Sequence, residues 1–164
     1  MIKANILFIS CLVFNVCQAQ LKTTPVCPSV SVDILNGRIN NEILPTSTFS
    51  FIKTKLPCFT SAVAESDSAK CGGGVFYKDK DIYFYTARNY IEIGPNFKGS
   101  LSVPLMGAAR NSLYKWLGHP AIKDVNWEAF QTAYGVLILY YNKLSKVNKI
   151  QFSSESTTTI KLCE

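Results

Sequence analysis

The fold is decided by residues 107–152, which begin GAARNSLYKWLGHP and end YGVLILYYNKLSKVNKIQF. In the opening segment, Leu113, Trp116 and Leu117 recur at the three- and four-residue spacing of a single helix face. Polar side chains fill the other side of the same segment. The spacing therefore predicts a short amphipathic helix over residues 107–117.

A stop signal and a hairpin follow this helix. Gly118 can adopt the left-handed conformation of a helix C-cap without a Cβ clash, and Pro120 cannot continue the helix. Residues 136–141 are then apolar or aromatic on both faces, a polar turn follows, and residues 147–152 return as a second strand. The first of these strands is predicted to be central in a sheet, with something covering each face.

The first 19 residues predict a secretory signal peptide. Lys3 supplies a positive charge, residues 6–16 form an apolar run too short to span a bilayer, and small residues precede the cleavage position after residue 19. A lipid anchor is the alternative, but the residues before Cys11 and Cys17 match a lipobox poorly. We therefore expect a periplasmic or secreted protein.

The charge balance favours an acidic partner weakly. The full chain has 17 basic and 11 acidic side chains, and removal of Lys3 with the signal peptide leaves 16 against 11, a net charge of +5. The lysines are scattered, so a solvated basic surface is the favoured explanation for them. The sequence has no nucleic-acid-binding motif and no later stretch long enough to be transmembrane, so neither nucleic acid nor a membrane span is expected.

Four cysteines follow the signal peptide, and an even number in an exported chain indicates two disulfides. Three pairings are compatible with the sequence. The simplest is nested: Cys58–Cys71 closes one polar loop, and Cys27–Cys163 ties the two ends together. A zinc site is the rival interpretation, but there is no CxxC spacing and His119 is far from every cysteine in sequence.

The first half of the chain contains the same kinds of element. Residues 30–35 predict a strand that leads into a turn at Asn36-Gly37. Residues 46–48 offer helix caps, and a helix is predicted on the apolar face formed by Phe49, Ile52 and Leu56. The strands predicted after it are residues 75–77, 82–86 and 90–93.

The two halves resemble each other at a fixed offset of 61 residues. The matched pairs include Ile52 with Leu113, Leu56 with Leu117, Gly74 with Gly135, and Ile91 with Phe152. We therefore predict an α+β fold of two tandem repeats, each a short helix packed on a three-stranded antiparallel sheet. The repeats would occupy residues 20–95 and 96–164 of one compact domain.

The segment from Gly107 to Pro120 resembles the motif of the SmpA/OmlA outer-membrane-assembly lipoproteins. Gly107, Leu113, Leu117, Gly118 and Pro120 fall on the motif, whereas Ala108 and Ala109 replace its Met-Thr. A tandem of such units is similar to the plan of the β-lactamase inhibitory proteins, where each repeat has its own cysteine pair. The resemblance implies a fold more than a function.

The sequence does not predict an active site, a metal site or a cofactor. His119 directly follows a helix, where a histidine usually acts as a C-terminal cation. The Gly72-Gly73-Gly74 run lacks the Lys-Ser/Thr of a phosphate loop and precedes a strand. The carboxylates, Glu128 among them, form no recognisable catalytic pair. An enzyme or a small-ligand carrier remains the least favoured class of function.

An excess of aromatic residues is the strongest functional signal. Tyr83, Tyr85, Tyr140 and Tyr141 lie on predicted strands whose two faces are both apolar or aromatic. Tyrosines are rigid anchors of protein interfaces, although they also pack cores. We therefore predict a non-enzymatic protein-binding module that uses these tyrosines, such as an inhibitor or an immunity protein acting in the cell envelope. An envelope-assembly accessory or structural protein is the alternative, and the oligomeric state stays open.

Overall fold

A computed structural model describes residues 26–163, so the predicted signal peptide lies outside the described residues. Within this range the β-strands are β1 (Ser31–Asp33), β2 (Arg38–Ile39), β3 (Ser61–Val63), β4 (Gly74–Tyr77), β5 (Ile82–Tyr85), β6 (Tyr90–Ile93), β7 (Ser100–Leu101), β8 (Ile122–Lys123), β9 (Trp127–Thr132), β10 (Gly135–Tyr141) and β11 (Val147–Ser153). The α-helices are α1 (Phe49–Lys55) and α2 (Tyr114–Leu117). Short 3-10 helices span Lys70–Gly72, Thr86–Arg88 and Arg110–Ser112.

The main sheet is antiparallel and has eight strands in the order β3-β4-β5-β6-β11-β10-β9-β8. It consists of two four-stranded meanders that meet where β6 pairs with β11. A second, small sheet has the order β2-β1-β7. The predicted α+β class is confirmed, but the chain does not form two separate three-stranded sheets.

The fixed offset of 61 residues relates Ile52 to Leu113, which are both buried in the core at the two helices, and it also holds at the junction between the meanders. There, Ile91 on β6 lies directly opposite Phe152 on β11. Gly74, however, begins β4, two strands away from β6, whereas Gly135 begins β10, the immediate neighbour of β11. One gap-free alignment therefore does not relate equivalent strands, because the β10–β11 hairpin, residues 135–153, is longer than the β5–β6 hairpin, residues 82–93.

Helix α1 forms where the sequence predicts it. Thr48 is the N-cap, and its hydroxyl accepts a 3.3 Å hydrogen bond from the backbone N–H of Phe51. Ile52 and Leu56 are buried in the core beneath the helix. The predicted cap and the buried positions of the apolar face are thus confirmed, while Phe51 points outward.

The predicted helix over residues 107–117 is wrong for its first half. The N–H of Gly107 donates to the carbonyl of Val147, and Ala109 forms an isolated bridge with Lys146, so this segment pairs with the β10–β11 hairpin. The α-helix begins only at Tyr114, after the 3-10 turn Arg110–Ser112. Ala109, which precedes that turn, provides no side-chain cap.

The side chains of α2 follow the predicted face only in part. Leu113, at its start, is 3% exposed, whereas Leu117 is only partly buried and Trp116 is 69% exposed. The predicted shared face is confirmed for Leu113 and in part for Leu117, which packs against the core, but it is wrong for Trp116, because a single helical turn cannot press all three side chains against the sheet. Gly118 ends the helix, as predicted, but its φ of 72° and ψ of −161° lie outside the left-handed helical region that the C-cap prediction implied.

The core lies between one face of the main sheet, called here the inner face, and a layer of α1, α2 and the small sheet. Its members include Val32 and Ile39 from the small sheet and Ile52 and Leu113 from the helical layer. The main sheet contributes the side chains of alternate residues, among them Val75, Tyr77, Ile82, Phe84, Ile91, Ile93, Phe130, Leu137, Leu139, Ile150 and Phe152.

The predicted disulfide pairing is wrong. The structure joins Cys27 to Cys58 and Cys71 to Cys163, with Cα–Cα distances of 5.5 and 5.3 Å. The predicted Cys27–Cys163 bond required the two ends of the chain to meet. They cannot, because the segment that follows Cys27 enters the core on the inner face, whereas the segment before Cys163 packs on the opposite, outer face.

Candidate functional site on the outer face of the sheet

Strand pairing places one continuous row of side chains across the outer face of the main sheet. Residues that are directly opposite one another on neighbouring strands share a face. The row runs through Phe76, Tyr83, Glu92, Gln151, Ile138 and Ala129. It begins aromatic on the first meander, becomes polar at the junction, and ends apolar on the second meander.

Four aromatic side chains of this face, Phe76, Tyr83, Tyr85 and Tyr140, are called here the aromatic surface; the same face also carries Trp127 and the buried Tyr90. All four are partly exposed. The ring of Phe76 lies 6.2 Å from that of Tyr83 and 5.4 Å from that of Tyr85. Three of the four predicted binding tyrosines therefore lie on one face. Residues 83 and 85 share a parity on β5, and residue 140 shares the parity of Ile138, which belongs to the row of side chains that includes Tyr83.

Tyr141, the fourth predicted tyrosine, lies on the inner face and is only 6% exposed. Consecutive residues of a strand point to opposite faces, so Tyr140 and Tyr141 cannot both belong to one surface. The structure thus separates the predicted set of tyrosines into an outward-facing group and one core residue.

A hydrogen-bonded network holds the polar centre of the outer face. The Tyr140 hydroxyl donates to Oε1 of Gln151 at 2.8 Å, and Nε2 of Gln151 donates to Oε2 of Glu92 at 2.6 Å. Lys149 Nζ lies 3.6 Å from the same Glu92 oxygen and 4.0 Å from the centre of the Tyr140 ring. The closed loop of contacts fixes the orientation of Tyr140 in the absence of any ligand.

The remaining tyrosines of this face are held by their neighbours. Tyr85 stacks on the buried ring of Tyr90 at 4.5 Å, and the Tyr83 hydroxyl donates to Oδ1 of Asp81 at 3.1 Å. Burial, helped by the negative charge of Glu92, raises the pKa of Tyr85 to about 12. Burial and the Asp81 carboxylate raise the pKa of Tyr83 as well. Both side chains are neutral hydrogen-bonding groups at physiological pH.

The other half of the outer face is covered by the C-terminal segment, residues 154–163. Ile160 and Leu162 pack against an apolar patch, called here the covered patch, which consists of Trp127, Ala129, Val136 and Ile138. Arg88 Nη1 donates to the carbonyl oxygen of Leu162 at 2.7 Å, and the N–H of Cys163 donates to the Tyr90 hydroxyl at 3.3 Å. The outer face therefore has an open aromatic half and a covered apolar half.

A buried ionic cluster surrounds Glu128 on the inner face. Its carboxylate is 0% exposed and accepts hydrogen bonds from Arg110 Nε at 2.9 Å and from the hydroxyls of Tyr114 and Tyr141, each at 2.7 Å. Burial alone would favour the protonated carboxyl, but these three donors lower the pKa of Glu128. Arg110 also donates to the carbonyl oxygens of Asp124 and Val125.

The Glu128 cluster joins separate parts of the chain. The two carboxylate oxygens accept three hydrogen bonds, from Arg110, Tyr114 and Tyr141. Because Arg110 reaches from the segment before α2 to the β8–β9 loop, the cluster fixes that loop against the end of β10. From the sequence alone, Glu128 is one of several carboxylates without a recognisable partner.

A polar cleft of about 950 Å³ lies between the loop after β3 and the C-terminal segment. Its charged side chains include Glu65, Asp67, Arg88, Glu155 and Lys161. Arg88 and Glu155 are already engaged, with the carbonyl of Leu162 and with Asn89. Two of these charged side chains therefore help to hold the C-terminal segment in place.

Among residues 26–163, no group of three or more histidine, cysteine or carboxylate side chains is placed to bind a metal ion. His119 is exposed, and its ring lies 6.0 Å from that of Tyr114. None of the helices in the described part of the chain has the length and apolar character needed to cross a membrane.

In comparisons with known proteins, no family model matched the chain, and neither a curated protein nor a solved structure matched it. The resemblance to the SmpA/OmlA lipoproteins is specific only in the Gly107–Pro120 motif.

Sequence reasoning missed three parts of this region. Strand β9 is not among the predicted strands, although its aromatic residues Trp127 and Phe130 are typical of a strand. Phe76 was not included with the tyrosines, although it precedes Tyr77 on a predicted strand. The position of the C-terminal segment leaves no local signal, because residues 154–163 carry no regular periodicity.

Proposed function

We propose that the chain is an exported, non-enzymatic protein-binding module, of the kind found among inhibitors and immunity proteins, that contacts its partner through the aromatic surface. The observation that carries this proposal is that four aromatic side chains are partly exposed on one face of the main sheet. Tyr83 and Tyr85 lie beside the ring of Phe76 on the first meander, and Tyr140 lies on the second meander, across Glu92 and Gln151. Large aromatic rings lose little conformational entropy on binding and bury much area.

Preorganisation supports this function. Tyr140 is held by Gln151 and Lys149, and Tyr85 is stacked on Tyr90, so these rings are already ordered before a partner arrives. A surface that needs no ordering on binding keeps more of its interaction free energy as affinity. A core role explains Tyr141, Tyr77 and Tyr90, which are buried, but not the exposed group.

An acidic partner is favoured by long-range charge more than by local contacts. Without the predicted signal peptide the chain has 16 basic and 11 acidic side chains, a net charge of +5, which would steer an anionic surface toward it. On the face itself, however, Lys149 is balanced by Glu92, and Asp81 adds a further carboxylate. We therefore expect salt to slow association without abolishing the final complex.

Export to the periplasm or the extracellular space is part of this proposal. It is supported by the two disulfides, which are typical of oxidising compartments. Descent from two tandem repeats is likewise proposed. The order helix, then four-stranded meander, occurs twice along the chain and supports it.

The experiment that tests the function has two steps. First, the oxidised protein without residues 1–19 is used to capture proteins from an envelope extract, and the captured protein is purified. Second, its affinity is measured by calorimetry for the single variants Tyr83→Ala, Tyr85→Ala and Tyr140→Ala. Phe51→Ala, on the exposed side of α1, is the matched control because Phe51 is 38% exposed and lies away from the sheet.

We expect at least one of the three tyrosine variants to weaken binding by about 2 kcal/mol or more, as interface anchors do, while Phe51→Ala binds normally. All variants must retain the circular dichroism spectrum of the parent. Normal binding by all three folded tyrosine variants would overturn the proposal. Co-fractionation of the native protein with the outer membrane would then favour the envelope-assembly alternative.

A further inference from the structure

The C-terminal segment, residues 154–163, belongs to no strand or helix, yet it lies across the outer face of the main sheet. Its backbone N–H groups at Thr159 and Ile160 bond to Ser156 within the segment itself. It is therefore attached to the rest of the molecule by side chains rather than by a backbone ladder.

Three kinds of contact hold this segment. Ile160 and Leu162 pack on the covered patch, and both remain only partly buried. Hydrogen bonds from Arg88 to the carbonyl of Leu162 and from Cys163 to the hydroxyl of Tyr90 align the end of the segment. The covalent contact is the disulfide between Cys163 and Cys71, which lies in the 3-10 turn before β4 on the other meander.

The C-terminal segment covers apolar side chains that would otherwise be exposed on the outer face. Ala129, Val136 and Ile138 form an apolar cluster separate from the main core, on the face that also carries Tyr140. Tyr140 itself packs against this cluster and lies directly opposite Trp127. Lifting residues 160–162 would extend the aromatic surface by a contiguous apolar patch, and exposed apolar patches of this kind mark interaction sites.

We propose that residues 154–163 are a redox-released cover: reduction of the Cys71–Cys163 disulfide frees the segment and exposes the covered patch. This inference rests on the proposed function and deepens it, because release enlarges the surface that a partner meets. The second disulfide, Cys27–Cys58, lies on the inner side, next to α1, and its reduction uncovers nothing on the outer face.

The reaction requires a dithiol as the reductant. One of its thiolates attacks Sγ of Cys163, which is partly exposed, and the Cys71 sulfur leaves as a thiolate and takes up a proton. The second thiol of the reductant then displaces Cys163 from the mixed disulfide. The products are two protein thiols and one disulfide in the reductant, so two electrons and two protons are transferred.

Fluorescence of Trp127 tests the cover without any partner. The chain has two tryptophans, and Trp116 is 69% exposed, so Trp116→Phe leaves Trp127 as the single reporter within the covered patch. In this background, acrylamide quenching is compared for the parent, for Cys71→Ser with Cys163→Ser, and for the matched control Cys27→Ser with Cys58→Ser. Circular dichroism checks that each variant keeps its sheet.

We expect quenching of Trp127 to rise severalfold, with a red shift of its emission, only when the Cys71–Cys163 bond is removed. Equal quenching in all three proteins would show that the segment stays in place without its disulfide and would overturn the proposal. An equal rise in both double variants would overturn it too, since the effect would then be general loosening.

A second measurement covers the case in which the serine variants do not fold. The oxidised parent is treated with a dithiol under native conditions, and hydrogen exchange is followed by mass spectrometry in peptides from residues 154–163 and from β10. Faster exchange confined to the C-terminal peptide supports the cover, and unchanged or uniform exchange contradicts it. Because neither readout uses a partner, the cover and the proposed binding function can fail independently.

Discussion

The hydroxyl of Tyr141 donates a 2.7 Å hydrogen bond to Oε2 of Glu128, a carboxylate with no solvent exposure. The neighbouring Tyr140 points to the opposite face and donates to Gln151. Two consecutive tyrosines therefore have different tasks: one stabilises a buried charge, and the other presents its ring on the surface.

This difference predicts unequal costs for removing the two hydroxyls. Tyr141→Phe takes a donor from a buried, ionised acceptor and should lower the free energy of unfolding by about 1.5–3 kcal/mol. Tyr140→Phe breaks a neutral, partly exposed hydrogen bond and should cost about 0.5–1.5 kcal/mol. Urea unfolding of the two variants measures both values, and equal losses would mean that the Glu128 cluster is not ionised as described.

The same cluster predicts how stability depends on pH. Because the pKa of Glu128 is lower in the folded than in the unfolded protein, its ionised form stabilises the fold above the ordinary carboxyl pKa of about 4.3. This contribution disappears as the pH falls through the folded-state pKa. We expect Glu128→Gln to be less stable than the parent at pH 7 and to lose less stability on acidification.

The control for this experiment is Glu42→Gln. Glu42 pairs with Lys55, but both side chains are about half exposed, at 54% and 43%. An exposed pair contributes about 0–1 kcal/mol, so this variant should follow the parent across the pH range. Parallel pH profiles of stability for the parent and Glu128→Gln would contradict the lowered pKa of Glu128 in the folded protein.

The packing of α2 predicts a graded series of core substitutions. Leu113→Ala removes a side chain that is 3% exposed and should cost about 2–5 kcal/mol. Leu117→Ala should cost clearly less, because Leu117 is only partly buried. Trp116→Ala should stay within about 0.5 kcal/mol of the parent, as exposed positions do. Denaturant titrations rank the three, and a larger loss at Leu117 than at Leu113 would reverse the packing described for this helix.

The disulfide pairing predicts which peptides are joined. Mapping without reduction should recover Cys27 with Cys58 and Cys71 with Cys163. The bonds close loops with sequence separations of 31 and 92 residues, so chain entropy assigns them about 3.7 and 4.6 kcal/mol as upper values. Removing the Cys71–Cys163 bond should therefore lower the free energy of unfolding more than removing the Cys27–Cys58 bond. Recovery of Cys58 joined to Cys71 would refute the topology of both chain ends.

Local elements followed closely from sequence patterns. Thr48 and the spacing of Ile52 and Leu56 were sufficient for α1, since capping and helical periodicity act within a few residues. Strands β4, β5, β6, β10 and β11 were found from β-branched and aromatic runs that turn signals separate.

Long-range relationships were beyond the reach of those patterns. The even number of cysteines predicted two bonds, but which cysteines meet depends on the faces of the sheet along which the two chain ends run. Segment 107–109 failed as a helix because its backbone pairs with the β10–β11 hairpin, a contact that helical spacing cannot report.

The aromatic surface was also predicted in part from the sequence and decided in part by the tertiary structure. Composition determined that the chain carries more aromatic residues than one core face requires, and parity determined that only one of Tyr140 and Tyr141 could point outward. The choice between them was made by the tertiary structure, because β10 is turned so that Tyr141 meets the buried carboxylate of Glu128. Where residues 154–163 lie was likewise decided by packing: the segment has no periodicity of its own and is held by Ile160, Leu162 and a disulfide to the distant Cys71.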